Sequence, residues 1–85
     1  MSVLPDVLHV LDEALGLAGR SAGFSAETPL LGALPELDSM AVVSLIASLE
    51  QHFGVRLPDD ELDGRVFATV GSLATFVDDV VQRQA

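Results

Sequence analysis

The residues best suited to chemistry are Asp38, Ser39 and Met40, which stand at the start of a predicted helix. The carboxylate of Asp38 or the hydroxyl of Ser39 could cap that helix by accepting a hydrogen bond from an unpaired backbone N–H group. The position also suits a phosphodiester on Ser39, because free N–H groups and the helix dipole favour an anion there. Met40, Val43 and Ala47 fall opposite the predicted core face, which predicts an exposed apolar surface that meets another molecule.

The two histidines, His9 and His52, do not complete a hydrolytic site with Ser39. His52 stands on the same predicted helix, about 20 Å from Ser39 at about 1.5 Å per residue, which is too far for a general base. Its position near the helix end suits the helix dipole, and His9 is predicted to face solvent together with Asp12 and Glu13. The sequence also contains no nucleophile elbow, phosphate-binding loop or metal-binding run. We therefore expect no catalytic residues in this chain.

An acidic run comes after this helix and forms what we name the acidic cluster: Asp59, Asp60, Glu61 and Asp63. A calcium-binding EF-hand loop that starts at Asp59 would require a bidentate glutamate where Val70 stands, so the spacing argues against calcium. The simplest interpretation is a solvated surface. Docking of basic enzyme surfaces is a second use for the cluster.

Length, charge and composition limit what this chain can do. Its 85 residues suffice for one small domain, in which a deep catalytic cleft is not expected. The absence of cysteine excludes disulfides and thiolate metal sites. A net charge of −9, with no lysine, argues against nucleic-acid partners and favours basic protein surfaces. The N-terminus lacks a signal sequence, and the longest uncharged apolar stretch, Met40 to Leu49, is about half a membrane span, so we expect a cytoplasmic protein without membrane insertion.

Apolar residues repeat with helical spacing in three segments. The first runs from about Pro5 to Ala18, with Gly19 as its stop, and its apolar side consists of Leu4, Val7, Leu8, Leu11, Ala14, Leu15 and Ala18. The second runs from Ser39 to Phe53, before Gly54, with a core face of Val42, Leu45, Ile46, Leu49 and Phe53. The third runs from about Val70 to Gln84, with an inner face of Leu73, Phe76, Val77, Val80 and Gln84.

The connections complete the predicted fold. Residues 57–62 predict a short helical turn because Pro58 and the acids after it suit a helix start, and Val66 and Phe67 are expected to anchor this connection to the core. The long connection from Gly19 to Asp38 has apolar anchors at Phe24, Leu30, Leu31, Leu34 and Leu37. We predict one all-α domain over residues 1–85, a small four-helix bundle of three main helices plus a short third helix, with a long connection between helices one and two.

A longer pattern is carried by Leu34-Pro35-Glu36-Leu37-Asp38-Ser39-Met40, then by Leu45, Leu49-Glu50, Phe53-Gly54, Leu57-Pro58 and Thr69-Val70-Gly71-Ser72-Leu73. Over Leu30 to about Val81 the chain resembles the acyl carrier proteins. In that family the serine after the aspartate carries 4′-phosphopantetheine, which a separate transferase adds from coenzyme A, and the thiol of this arm holds an acyl group as a thioester. The resemblance implies that Ser39 is the attachment residue, that Asp38 assists transfer of the arm and that partner enzymes grip Met40.

Two features depart from the family pattern. Glu36 stands where many members have glycine, three residues before the serine. Fatty-acid carriers display several acids along the second helix, whereas only Glu50 comes after Ser39 within it here, and the residues where charge is expected are Ser44, Ala47 and Ser48. The resemblance is therefore closer to carriers of polyketide, peptide or specialised pathways, including the free-standing carriers found with exosortase or exopolysaccharide systems.

We weigh three hypotheses and prefer them in the order given, with the first well ahead. The first is a monomeric carrier, itself a substrate of a phosphopantetheinyl transferase and of acyl-loading and acyl-transfer enzymes. Its partner contacts are predicted at Met40, Val43, Ala47, Glu50, Asp59, Asp60, Glu61 and Asp63. The second is a helical interaction module that is never modified and uses only the Met40, Val43 and Ala47 face. Calcium sensing through residues 59–63 is the third.

Overall fold

The computed structural model describes residues 3–84 and contains three helices: α1 (Leu4–Leu15), α2 (Ser39–Phe53) and α3 (Val70–Gln84). Single 3₁₀ turns at Arg20–Gly23 and Asp59–Glu61 lie in the two connections. The all-α prediction is confirmed, and the short third helix of the predicted bundle is the three-residue turn Asp59–Glu61. Residues 1, 2 and 85 of the predicted domain lie outside the described range. No helix within residues 3–84 has the length and apolar character needed to cross a membrane.

Helix α1 ends earlier than predicted. Gly16, rather than Gly19, stops it, because Gly16 takes the left-handed conformation with φ 64° and its N–H donates to the carbonyl of Asp12. The extension to Ala18 is therefore wrong, and Ala18 itself has a φ of 55°. The buried side is also wider than predicted: Val10 is only 4% exposed, because α1 packs against both α2 and α3.

Helix α2 has the predicted bounds because both of its ends carry strong local signals. The extended residue Asp38 accepts a hydrogen bond from the N–H of Ala41 at 2.8 Å. At the other end Gly54 takes the left-handed conformation, with φ 66°. Of the predicted core face, the buried residues are Leu45 and Leu49, and the half-buried ones are Val42, Ile46 and Phe53.

Helix α3 begins and ends where predicted, and most of its inner face is buried. The buried residues are Val70, Leu73, Ala74, Val77 and Val80. Phe76 is half-buried, whereas Gln84 is exposed, so its assignment to the inner face is wrong. The Gln84 amide instead bonds the backbone of Arg56, with the Arg56 N–H donating at 3.0 Å and the carbonyl accepting at 2.7 Å. This pair fastens the end of α3 to the segment after α2.

The long connection between α1 and α2 is fastened along the segment that leads into α3. The N–H of Leu30 donates to the carbonyl of Ala68, and the N–H of Val70 donates to the carbonyl of Thr28, both at 2.9 Å. Pro29 lies opposite Thr69 between these bonds as an isolated antiparallel bridge. Backbone hydrogen bonds therefore order this connection, for which the periodicity of apolar residues predicts no regular structure.

Side chains anchor the same connection to the core. Leu30 and Leu37 are buried, and Phe24 and Leu34 are half-buried, as expected of anchors. Leu31 is 47% exposed, so its assignment as an anchor is wrong. Successive side chains of an extended segment point to opposite sides, and Leu30 already occupies the inward position. In the second connection, Phe67 is buried and Val66 half-buried, which confirms their anchoring role.

Candidate functional site

Ser39 is exposed and is the first residue of α2. Asp38 caps the helix through Ala41, so the cap does not need the Ser39 hydroxyl. The N–H groups of Ser39 and Met40 precede the first backbone bond of the helix, which the N–H of Val42 makes to the Asp38 carbonyl at 2.9 Å. An anion on Ser39 would therefore lie beside free donors at the positive end of the helix dipole, so this position fits a phosphodiester.

An apolar surface begins beside Ser39. Met40 is 76% exposed and Val43 is 64% exposed, and Ala47, one turn further along α2, is also exposed. Exposure at this level costs free energy because large apolar side chains remain in water. The three residues form what we name the α2 outer face. The structure thus leaves uncovered the surface that the helical wheel predicts.

Glu50 lies further along α2 and does not share this exposure. It is half-buried, and its Oε2 accepts a hydrogen bond from the backbone N–H of Leu57 at 2.8 Å. The carboxylate therefore holds the chain after α2 against the helix. This contact engages one of the two carboxylate oxygens within the molecule, and contact of Glu50 with partner enzymes stays a prediction.

The acidic cluster is partly neutralised within the molecule. Arg83 donates to both carboxylate oxygens of Glu61, at 2.9 and 3.2 Å, and Arg65 donates to Asp63 at 3.1 Å. These guanidinium groups hold the pKa of both carboxyls below its ordinary value. Asp59 and Asp60 are exposed and have no ion-pair partner among residues 3–84. A basic partner would therefore meet Asp59 and Asp60 as the unpaired charges of the cluster.

The histidines lie away from Ser39, between α1 and the second half of α2. His52 Nε2 is 3.5 Å from Asp6 Oδ1, and His9 Nε2 is 2.8 Å from Glu13 Oε1. The two imidazole ring centroids are 6.3 Å apart. Within the part of the chain that the structure describes, no group of three or more histidine or acidic side chains could hold a metal ion.

Asp12 has a structural role that sequence reasoning misses. The helical pattern predicts that it faces solvent, but its carboxylate accepts hydrogen bonds from the N–H of Gly19 at 3.1 Å and from the N–H and hydroxyl of Ser21, at 3.2 and 2.7 Å. The Ser21 hydroxyl is the main reason why the pKa of Asp12 lies below its ordinary value. The helical wheel could not reveal this role, because the partners lie seven and nine residues away in an irregular segment.

Arg20 and Glu36 form a second contact without a sequence signal. The guanidinium of Arg20 donates to the carboxylate of Glu36, sixteen residues along the chain, and this hydrogen bond holds the pKa of Glu36 below its ordinary value. No helical or strand spacing predicts a pair at this separation. Glu36 stands three residues before Ser39, so the contact lies on the segment that leads into α2.

Comparison with known proteins identifies the family of this chain. The family described as "Phosphopantetheine attachment site" matches residues 5–77. The acyl carrier protein of Helicobacter acinonychis (strain Sheeba) is 32% identical over 80 residues, which is 93% of this chain and 95% of that protein. The acyl carrier protein AsbD of Bacillus anthracis is 31% identical over 74 residues, which is 87% of this chain and 79% of that protein.

A solved structure shows the same fold. The solution NMR structure of a holo acyl carrier protein from Nitrosomonas europaea matches with a TM-score of 0.91 and 43% identity, over 96% of this chain and 99% of that one. The family match begins in α1, includes all of α2 and ends within α3. The chain therefore belongs to the acyl carrier proteins, which carry acyl intermediates on covalently attached 4′-phosphopantetheine and are carriers rather than enzymes.

Proposed function

We propose that Ser39 is the residue to which 4′-phosphopantetheine is attached. The observation that carries this assignment is the combination of an exposed hydroxyl, the first position of α2 and a cap made by Asp38 instead of by the serine. Two other serines lack this combination. Ser21 is buried and its hydroxyl donates to Asp12, and the hydroxyl of Ser72 donates to the carbonyl of Val66 at 2.8 Å.

The attachment step is a phosphoryl transfer. Ser39 Oγ forms a bond to the phosphorus that bears pantetheine in coenzyme A, the pyrophosphate P–O bond breaks, and adenosine 3′,5′-bisphosphate leaves. The hydroxyl proton passes to the transferase or to solvent. The free N–H groups at the start of α2 stabilise the negative charge of the new phosphodiester. When bound, the arm supplies the terminal thiol that holds an acyl group as a thioester.

Mass spectrometry tests the attachment residue. Wild-type protein incubated with coenzyme A and a broad-specificity phosphopantetheinyl transferase should gain the mass of one phosphopantetheine group. Ser39→Ala should gain none. Ser44→Ala is the matched control, because Ser44 is another exposed serine on α2, and it should gain the full mass. No gain on the wild type overturns the assignment and leaves the unmodified interaction module as the better hypothesis. The same gain on Ser39→Ala also overturns it, because the arm would then be attached at another residue.

We propose further that partner enzymes bind the α2 outer face, with Asp59 and Asp60 attracting their basic surfaces. The exposure of Met40 and Val43 supports the apolar part of this contact. The acid-poor α2 supports partners from polyketide, peptide or specialised pathways, in agreement with the departures of the sequence from the fatty-acid carriers.

Substitution of Met40 tests this surface. Met40→Ala should leave the unfolding free energy nearly unchanged, because the side chain is 76% exposed, yet it should weaken transfer of acyl groups onto the modified protein. Met40→Leu keeps a side chain of similar volume and should retain most of the loading rate. Unfolding of Met40→Ala, or loading at the wild-type rate, contradicts the proposed contact.

A further inference from the structure

Glu36 is held in a partly buried position on the segment before Ser39. One carboxylate oxygen, Oε2, accepts from the guanidinium of Arg20. The other, Oε1, is buried and has no hydrogen-bond partner among residues 3–84. Withdrawal of a charged oxygen from water is unfavourable unless another interaction compensates for it. The positive charge of Arg20 is the largest part of that compensation, so the ion pair favours this position of Glu36.

The Arg20 end of the contact is anchored to α1 and to the residues that come directly after it. The Nε of Arg20 donates to the Leu17 carbonyl at 3.2 Å, and Leu17 is itself 1% exposed. The 3₁₀ turn Arg20–Gly23 is bonded to α1 through Asp12, which accepts from the hydroxyl of Ser21 at 2.7 Å. The Leu17 and Asp12 contacts therefore hold the turn from which the Arg20 side chain extends. The guanidinium of Arg20 thus has a fixed position from which to bind Glu36.

The Glu36 end is close to the attachment residue. Only Leu37 and Asp38 separate Glu36 from Ser39. Leu37 is buried at 5% exposure and its N–H donates to the Leu34 carbonyl at 3.0 Å, so it fixes the segment on the core side. The ion pair fixes the segment one residue earlier, on the side that is partly exposed to solvent. Without it, the carboxylate would turn out to water and the backbone before Ser39 would gain freedom.

We propose that Arg20 and Glu36 are positioning residues that hold the segment before Ser39 in the arrangement that the transferase binds. This inference rests on the proposed attachment at Ser39. Neither side chain takes part in the transfer itself. A protein whose binding-competent arrangement is only partly populated binds its partner more weakly by that fraction, while the bound complex reacts as before. The pair should therefore act on KM for the carrier protein and leave kcat unchanged.

Two neutral substitutions and a charge exchange test the proposal in the transferase reaction. Arg20→Gln and Glu36→Gln should each raise KM about two- to fivefold, the range that one partly exposed ion pair can control, with kcat unchanged. Arg20→Lys keeps the positive charge but replaces the planar guanidinium by a single ammonium group, so it should raise KM less than Arg20→Gln does. The double variant Arg20→Glu with Glu36→Arg restores an ion pair with reversed polarity and should bring KM back toward the wild-type value.

Matched controls remove the same charges elsewhere. Glu13→Gln removes a carboxylate that pairs with His9 near the far half of α2, and Arg56→Gln removes a guanidinium beyond the C-terminal end of α2. Both should keep the wild-type KM. Far-ultraviolet circular dichroism of every variant confirms folding before the kinetics are measured, and Arg20→Lys replaces Arg20→Gln if the latter does not fold.

The outcomes separate this inference from the proposed function. Failure of wild-type protein to gain phosphopantetheine refutes the attachment at Ser39. If the wild type is modified but Arg20→Gln and Glu36→Gln match their controls in KM, positioning is refuted alone. A further rise of KM in the charge-exchanged double variant also refutes positioning, because it would show that the transferase contacts the two side chains directly. A fall in kcat at constant KM would place them in the reaction itself, which again overturns the inference.

Discussion

Asp38 combines a structural and a proposed chemical role within one side chain. Its Oδ1 accepts from the Ala41 N–H at 2.8 Å, and this cap is among the signals that fix the start of α2. The same carboxylate stands next to Ser39, where we propose that it assists transfer of the arm. Asparagine keeps an oxygen that can cap the helix but removes the charge, whereas alanine removes both. The two roles are therefore separable.

Substitution of Asp38 should show that separation. Asp38→Ala should lower the unfolding free energy by about 1 kcal/mol, because the Ala41 N–H loses its acceptor, and Asp38→Asn should lower it less. Urea unfolding followed by circular dichroism measures both changes. Each variant should be modified more slowly than the wild type under conditions in which all three are folded. Modification of Asp38→Asn at the wild-type rate would restrict Asp38 to capping.

Gly71 is required by a close approach between two segments. A Cβ at this position would lie 2.8 Å from the carbonyl oxygen of Ala26, and the Gly71 N–H donates to the same oxygen at 2.7 Å. Because the obstacle is backbone, it cannot turn aside as a side chain would. We expect Gly71→Ala to lower the unfolding free energy by about 1–3 kcal/mol through the displacement it forces.

Gly23→Ala is the control for Gly71→Ala. A Cβ at Gly23 meets open space, and the backbone there does not have a positive φ. This substitution should be neutral or stabilise the protein by up to about 1 kcal/mol, because it reduces the freedom of the unfolded chain. Thermal unfolding of both variants tests the pair. Equal melting temperatures would show that the segment around Ala26 yields to the added methyl group.

At the scale of elements, the sequence predicts the helices well where a cap and a stop both stand at fixed places. α2 has Asp38 before it and Gly54 after it, and its bounds agree with the prediction. α1 has two candidate stops, Gly16 and Gly19, both with positive φ in the structure. The earlier one ends the helix because Gly16 takes the left-handed conformation and lets the Leu17 N–H turn back to the Asp12 carbonyl at 3.0 Å, a contact that composition cannot reveal.

The connection between α1 and α2 is predicted least completely: most of its apolar anchors could be named, but the contacts that order its backbone could not. Its order comes from backbone pairing with the segment before α3 and from the ion pair between Arg20 and Glu36. Neither contact produces a periodic pattern of apolar residues in the sequence, so neither can be read from it. The same limit applies to the site: Ser39 and the α2 outer face lie on a periodic helix and could be inferred. The anchor Leu37 could also be named, whereas the ion pair between Arg20 and Glu36 could not.

Leu30 and Leu31 provide a test of this connection, since they are adjacent and differ in burial. Leu30 is fully buried and Leu31 is 47% exposed. Leu30→Ala should lower the unfolding free energy by about 2–5 kcal/mol, because it leaves a cavity in the core. Leu31→Ala should change it by about 0.5 kcal/mol or less. Urea unfolding measures both, and equal losses would contradict the orientation of this segment.

At the scale of the whole molecule, the chain has a net charge of −9 and only four arginines, most of which form ion pairs within the molecule. Arg20, Arg65 and Arg83 all form ion pairs. Among residues 3–84, four carboxyls have a pKa below the ordinary value: those of Asp12, Glu36, Glu61 and Asp63. At these four carboxyls the unfolded chain therefore binds more protons in the acid range than the folded protein does. These groups contribute stability above the ordinary values, 3.8 for aspartate and 4.5 for glutamate, and lose it as pH falls through their lower folded values.

Acidification has an opposing effect, because protonation of the excess carboxylates relieves repulsion across the molecule. Repulsion contributes about equally to two proteins of the same net charge. The difference between their unfolding free energies at a given pH therefore cancels most of it. Ser21→Ala removes the hydroxyl that most strongly lowers the pKa of Asp12 and leaves the net charge unchanged. The wild type should therefore exceed Ser21→Ala in unfolding free energy by the largest margin near neutral pH.

That margin should shrink as pH falls through and below 3.8, the ordinary value for Asp12, because a protonated Asp12 no longer makes a charge-assisted bond. Urea unfolding of both proteins at a series of pH values measures it. Ser44→Ala is the control, since Ser44 is exposed on α2, and its difference from the wild type should stay constant with pH. A margin for Ser21→Ala that is equally independent of pH would mean that the Ser21 hydroxyl does not distinguish the charged carboxylate from the neutral one. The fastening of the 3₁₀ turn to α1 would then not depend on the charge of Asp12.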